Sequence, residues 1–278
     1  MLPLLEVLRR ATGYLEGHGS ESPRLDAELL LAHALGLRRI DLYLQHERPL
    51  DEADLAPFRA LVARRGQGEP VAYLTGHKEF MALEFEVTPA VLVPNPDTET
   101  LVRRAIEWGR ARGGPLRFAD VGTGSGCVAV AVAHYLPLAE VEAVDDDPAA
   151  LEVAGRNVGR HGLGDRVALH QGHLLEPVEG RLDGVLANLP YVPSGRQLPA
   201  EVTAQPAHAL FAGESGGELV AALLEQAAGR LVPGGVVLAE ADGEVLKELA
   251  DLAGRQFGTV RLHNDLGGRE RVLEAWNS

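Results

Sequence analysis

Apolar residues recur at helical spacing from the start of the chain. Leu4, Leu5, Val7, Leu8 and Leu15 form a stripe of period 3.6, which predicts an amphipathic helix. Ser22 offers an N-cap and Pro23 fits the first position of a second helix, which Gly36 stops after Leu35. A third helix runs from about Glu52 to Arg65. It ends before Gly66-Gln67-Gly68-Glu69-Pro70, a breaker-rich stretch that predicts a domain boundary. Phe80, Leu83, Phe85 and Val87 then read as strand, consistent with a linking β-hairpin.

From Asp97 onward, helices and strands alternate. Helix 98–112 precedes the strand Leu116-Arg117-Phe118-Ala119, and a helix opens at Cys127. Strand 141–145, helix 148–161, and strands 167–171 and 182–188 follow. Helix 218–230, strand 236–240, helix 245–253 and strands 259–263 and 271–276 complete the chain. Such alternation predicts an α/β fold, with a mostly parallel sheet covered on both faces. Ligands of such sheets sit at the carboxyl ends of the strands. The division expected is a helical part over residues 1–70, a hairpin link over 71–96 and an α/β domain over 97–278.

Composition narrows the function classes. No apolar run approaches the roughly 20 residues that cross a membrane, and the N-terminus lacks the order of a signal peptide. One cysteine, Cys127, precludes an intrachain disulfide, so a cytoplasmic protein is expected. The net charge of −14 is unevenly placed: residues 1–75 carry 9 basic and 11 acidic side chains, the remainder 17 and 29. An acidic catalytic part argues against duplex DNA as partner, because phosphate contacts dominate that affinity.

Two stretches carry candidate chemistry. Asp120-Val121-Gly122-Thr123-Gly124-Ser125-Gly126 lies between a strand and a helix, where glycines let a ligand approach the backbone and the helix N-terminus. The next strand ends at Asp145, a carboxylate able to hold two ribose hydroxyls. The combination suits a nucleoside cofactor, and NAD shares the logic. Asn188-Leu189-Pro190-Tyr191 ends a further strand. There the Asn side-chain oxygen and the Leu189 carbonyl can accept both hydrogens of a planar NH2 group, while the Tyr191 ring packs on its plane and Pro190 fixes the turn. His161, His170 and His173 are spread along a helix end and a strand and form no metal-ligand spacing, so no metal site is expected.

In their order these motifs resemble the S-adenosylmethionine-dependent methyltransferases of the HemK/PrmC family. Further matching stretches are Pro23–Leu30, Tyr73-Leu74-Thr75-Gly76 with Glu79-Phe80, Val93-Pro94-Asn95-Pro96-Asp97-Thr98-Glu99, and Gly268–Val272. The resemblance implies a Rossmann-like seven-stranded sheet with a small N-terminal helical domain. It also implies methyl transfer to the side-chain amide of the glutamine in the Gly-Gly-Gln motif of class-1 peptide-chain release factors. It places Asp120, Gly122, Thr123, Gly124, Ser125, Gly126, Asp145, His173, Leu174 and Asn188 at S-adenosylmethionine, and Asn188, Leu189, Pro190 and Tyr191 at the acceptor amide. A monomer that binds the release factor through its N-terminal helices is implied, without nucleic acid or membrane. The family pattern has proline where Leu189 stands, arginine for Asn95, aspartate for His173 and an acidic residue for Gln205. Two other readings stay open: an adenine-amino methyltransferase of DNA or RNA, since adenine presents the same NH2 geometry, and a binding protein that retains the fold without turnover.

Overall fold

Strands buried on both faces need apolar residues at nearly every position, and the segment from Leu182 to Ala187 shows it: only Asp183 is less than fully buried apart from the chain's turn into it. It is one of seven strands in a single sheet, labelled here β1 (Leu116–Val121), β2 (Ala139–Asp145), β3 (Val167–Gln171), β4 (Leu182–Ala187), β5 (Leu231–Glu240), β6 (Thr259–Asn264) and β7 (Glu270–Trp276). The computed structural model describes residues 1–277. The strand order is β3-β2-β1-β4-β5-β7-β6. The first five run parallel, and β7 is antiparallel to both β5 and β6. This is the seven-stranded, mostly parallel sheet expected from the sequence.

Successive residues of a strand point to opposite faces, so each face has its own core. Phe118 joins helices Glu99–Arg112 and Cys127–Tyr135 on one side; Ala119 and Val121 join helices Glu218–Ala228 and Gly243–Ala253 on the other. The strand order reverses between β1 and β4, and the crevice outside their carboxyl ends is where an open α/β sheet takes a ligand.

The chain forms two units, residues 1–77 with 198–204, and residues 78–197 with 205–278. In the first, helices Leu4–Gly17, Pro23–Leu35 and Glu52–Gly66 bury Leu8, Leu15, Leu30, Leu31 and Phe58 against one another. Gly36 closes the second helix in the left-handed conformation, as its position predicts. Ser22 makes no side-chain cap bond; instead the Ser20 hydroxyl accepts from the Ser22 amide and donates to Asp26 at 2.7 Å. Elements of this unit without a signal in the sequence are the short helix Arg39–Leu44, in which only Leu42 is buried, the ladder of Leu2–Pro3 with Pro49–Leu50, and the short helices Val71–Thr75, where a hairpin link is expected, and Ala200–Thr203. Its polar centre is Arg65, which donates to Asp26 at 2.7 Å and to Glu201 at 2.6 Å.

The hairpin Phe80, Leu83, Phe85 and Val87 suggest is formed by His77–Phe80 and Leu83–Glu86. Its turn residues Met81 and Ala82 both have positive φ, 51° and 57°. That matches the right-handed twist of a two-residue hairpin but strains residues with a side chain. The turn is pinned by its neighbours: Glu99 accepts from the Met81 amide at 3.1 Å, and the Tyr135 hydroxyl donates to the Met81 carbonyl at 2.7 Å.

Candidate active site

The strand β1 stops at Val121 because the next residues are needed in a conformation that a strand cannot hold. Gly122, Gly124 and Gly126 all lie in the left-handed region, at φ of 73°, 54° and 77°. At Gly122 an added Cβ would stand 2.7 Å from Leu189 Cδ2, so the left-handed backbone requires the glycine and a side chain there would also push the Leu189 methyl aside. Gly126 caps the following helix and lies against Ala154, 3.2 Å from where its own Cβ would be.

Two carboxylates shape the loop. Oδ2 of Asp120 accepts from the Thr123 hydroxyl at 2.6 Å and from the Ala129 amide at 3.0 Å, tying the loop to the first turn of its helix. Burial pushes the Asp120 carboxyl up to about 6, opposed by those two donors, with the charge of Asp145 adding to the rise. Asp145, at the end of β2, accepts from the Gly124 amide at 2.8 Å and from the Asp147 amide at 3.1 Å. Its pKa is also raised, again chiefly by burial. Asp145 therefore holds the loop as well as facing the cleft; each oxygen keeps a lone pair for a further donor.

One cavity is bounded by eleven of the residues singled out from the sequence: Asp120, Gly122, Thr123, Gly124, Ser125, Asp145, His173, Leu174, Asn188, Leu189 and Pro190. Gly126 and Tyr191 lie outside its wall. Leu174 is buried at φ 50°, a strained conformation for leucine that the surrounding packing maintains at the rim of a site. Ala90 to Asn95 cover the cavity from the far side. Asn95 caps the turn there, accepting from the Asp97 amide at 3.1 Å, and Gln205 holds this cover by accepting from the Val93 amide at 2.9 Å. Thr98, from the matching stretch Val93–Glu99, also reaches the cavity, as do Val128, Ala150, His208 and Leu219, which no motif marked. His208 stands 3.3 Å from Asp147. His170, by contrast, is turned to Glu142, which also accepts from Arg117, and His161 to the Glu84 carbonyl. Among the described residues no group of three His, Cys, Asp or Glu side chains is placed to hold a metal.

At the end of β4, Asn188 donates from Nδ2 to the Thr98 hydroxyl at 2.9 Å, which leaves Oδ1 to the cavity. Leu189 is buried, its side chain over Gly122. The leucine side chain thus fills the space above the glycine loop. Tyr191 is half-buried, with its hydroxyl 3.4 Å from Glu240 Oε1; burial raises its pKa, so the phenol stays neutral.

Residues 6–76 match the model of the PrmC N-terminal domain and residues 113–263 that of the methyltransferase small domain. The chain is 42% identical over 284 residues to the release factor glutamine methyltransferase of Moorella thermoacetica, covering 99% of both chains. It is 40% identical to that of Rhodopirellula baltica, covering 97% of this chain and 95% of the relative. The 16S rRNA N2 G1207 methyltransferase RsmC of T. thermophilus, solved with AdoMet and guanosine, superposes with a TM-score of 0.57 at 20% identity, over 73% of this chain and 50% of that one, a likeness of fold. With relatives of this identity over nearly its whole length, the chain belongs to the release factor glutamine methyltransferase family.

Proposed function

We propose that the chain transfers a methyl group from S-adenosylmethionine to the side-chain amide nitrogen of the glutamine in the Gly-Gly-Gln motif of class-1 release factors. The observation that carries this reading is the orientation of Asn188. Nδ2 is committed to Thr98 and both Asn188 and Leu189 line the cavity; this supports a pairing in which Oδ1 and the Leu189 carbonyl would accept the two hydrogens of an NH2 group.

The cradle suits the cofactor on its own geometry. Two left-handed glycines, Gly122 and Gly124, bring backbone to the cavity, and Asp145 retains lone pairs for the ribose hydroxyls. Asp120, the loop from Gly122 to Gly126, Asp145, His173 and the Leu174 backbone would hold it. Bound there, S-adenosylmethionine supplies a methyl already activated by its sulfonium.

The remaining work falls to this chain's residues and is chiefly positioning. An amide nitrogen is a weak nucleophile because its lone pair is delocalised into the carbonyl. Accepting both N–H bonds at Asn188 Oδ1 and the Leu189 carbonyl fixes the nitrogen with its lone-pair face toward the cofactor side. Pro190 holds the turn, and Tyr191 packs against the amide plane. No general base need act first, since the methylated nitrogen is the more acidic one. The N-terminal helices, residues 1–70, dock the release factor, residues 71–96 link them to the catalytic part, and the enzyme works as a cytoplasmic monomer. Among the described residues no helix is long and apolar enough to cross a membrane.

The test is methylation with labelled S-adenosylmethionine of a release factor and, separately, of DNA and RNA. Label confined to the Gly-Gly-Gln glutamine is expected. Label on adenine would replace this reading with the adenine-amino one.

A further inference from the structure

One fully buried side chain ties the glycine loop to the hairpin, and the chemistry described so far makes no use of it. Asn157 lies on helix Pro148–Arg160, which follows Asp145, and has 0% of its surface exposed. Both of its Nδ2 protons are spent, one on the Ser125 carbonyl and one on the Glu86 carbonyl, each at 2.9 Å. Its Oδ1 accepts from the Glu86 amide at 2.8 Å. The amide has one possible orientation, since the reverse would set its oxygen against two carbonyls.

These partners lead to two opposite sides of the cavity. Ser125 is the fourth residue of the loop Gly122–Gly126 and lines the cavity itself. Its carbonyl stands outside the helix that follows. In a continuous helix the Ala129 amide would reach back to it, but that amide donates to Asp120 at 3.0 Å. Asn157 supplies the donor in its place. Glu86 ends the second hairpin strand, and the chain runs on from it to the cover at Ala90–Asn95. Asn157 engages both backbone polar groups of Glu86, as a neighbouring strand would. The same helix brings Ala150 to the cavity and Ala154 against Gly126, 3.2 Å from the place of an added Cβ. Positions 150, 154 and 157 share one helix face. Along it the helix meets the cavity, the loop and the hairpin in turn.

We infer that Asn157 is a positioning residue for the cofactor, a bracket that holds the glycine loop and the strand leading into the cover at one spacing. The inference rests on the cofactor assignment above and deepens it. A ligand held between two surfaces binds tightly when their separation is set in advance. Here a single amide sets it, because the position must donate twice and accept once. A carboxylate cannot donate, and an alanine does neither. The ion pairs between helix and hairpin lie at the surface and miss the loop: Arg156 reaches Glu86 Oε1 and Arg160 reaches Glu84 Oε1, each at 2.7 Å.

Asn157→Ala and the isosteric Asn157→Asp are expected to weaken S-adenosylhomocysteine binding in calorimetry about tenfold or more, the scale of one or two lost buried hydrogen bonds. KM for S-adenosylmethionine should rise in step. At saturating cofactor, kcat for a Gly-Gly-Gln peptide should stay within about threefold, because Asn188 and Leu189 are untouched. A residue that served stability alone would leave the affinity of the folded enzyme unchanged. Arg156→Ala loosens the hairpin without touching the loop and should keep affinity within about twofold of the parent. Parent-like affinity in Asn157→Asp, or an equal loss in Arg156→Ala, would overturn the role. A parent enzyme that binds no S-adenosylhomocysteine would refute the cofactor site itself, and the bracket with it. Hydrogen exchange of the unaltered enzyme tests the same claim if the variants fail to fold. The Glu86 amide lies outside the cavity wall, yet S-adenosylhomocysteine should slow its exchange more than that of amides in β6, the far edge strand. Equal slowing at both places would overturn the bracket.

Discussion

Replacing Asp145 with alanine removes two sets of bonds at once, and the two separate experimentally. Toward the cofactor, the ribose hydroxyls lose a charged acceptor, a bond worth about 1.5–3 kcal/mol. At about 1.4 kcal/mol per decade this weakens S-adenosylhomocysteine binding roughly ten- to 150-fold. Toward the protein, the Gly124 and Asp147 amides lose their acceptor at 2.8 and 3.1 Å. Each such bond contributes about 1 kcal/mol net, so the loop also loosens. The stability loss depends on pH with a definite sign. The folded-state pKa of Asp145 is raised by burial, so its contribution to stability is largest below the pKa of the unfolded chain, about 4, and declines as pH rises through the folded value. The variant's deficit in urea unfolding should therefore be greater at low pH than at pH 8. Calorimetric titration with S-adenosylhomocysteine at pH 8, where the fold is least affected, isolates the ribose contribution. Affinity unchanged from the parent would show that Asp145 only ties the loop to β2.

Other outcomes follow from the same geometry. Asn188→Ala should nearly abolish methyl transfer, a loss of about 3 kcal/mol or more in the barrier, while calorimetry finds cofactor affinity within about tenfold of the parent. Gly122→Ala forces alanine to φ 73° and its Cβ against Leu189; with about 1–2 kcal/mol for the left-handed backbone alone, cofactor affinity should fall about tenfold, and adding Leu189→Ala should restore only the steric share. Arg65→Leu strands Asp26 in the first unit's interior, and breaking such a buried pair should cost about 3–5 kcal/mol in denaturant unfolding.

What the sequence made legible is what repeats or lies close together along the chain. The strands of the sheet are covered on both faces, and their unbroken apolar runs announce them. The glycine loop announces itself because left-handed backbone admits few other residues. The Met81–Ala82 turn was hidden, since neither residue favours positive φ and the bonds that hold it come from Glu99 and Tyr135. Helix Arg39–Leu44 left no periodic stripe because Ile40, Tyr43 and Leu44 are all exposed. The union of Thr98 with Asn188 escaped for another reason. Thr98 reads as a helix start and Asn188 as a strand end, 90 residues apart along the chain, and only the fold brings them together. Likewise, Arg65 and Glu201 are separated by 136 residues, and no local pattern announces that the segment 198–204 belongs with the helices.

The central claim is that Asn188 and Leu189 present two acceptors to a glutamine amide. It is tested most directly by incubating the enzyme with labelled S-adenosylmethionine and two release factors, one with Gly-Gly-Gln and one with that glutamine changed to glutamate, and locating the label by peptide mass spectrometry. The account predicts one methyl group on the glutamine side chain of the first, none on the second, and almost none on either with Asn188→Ala. Label elsewhere on the factor, or equal labelling by the Asn188→Ala enzyme, would contradict it.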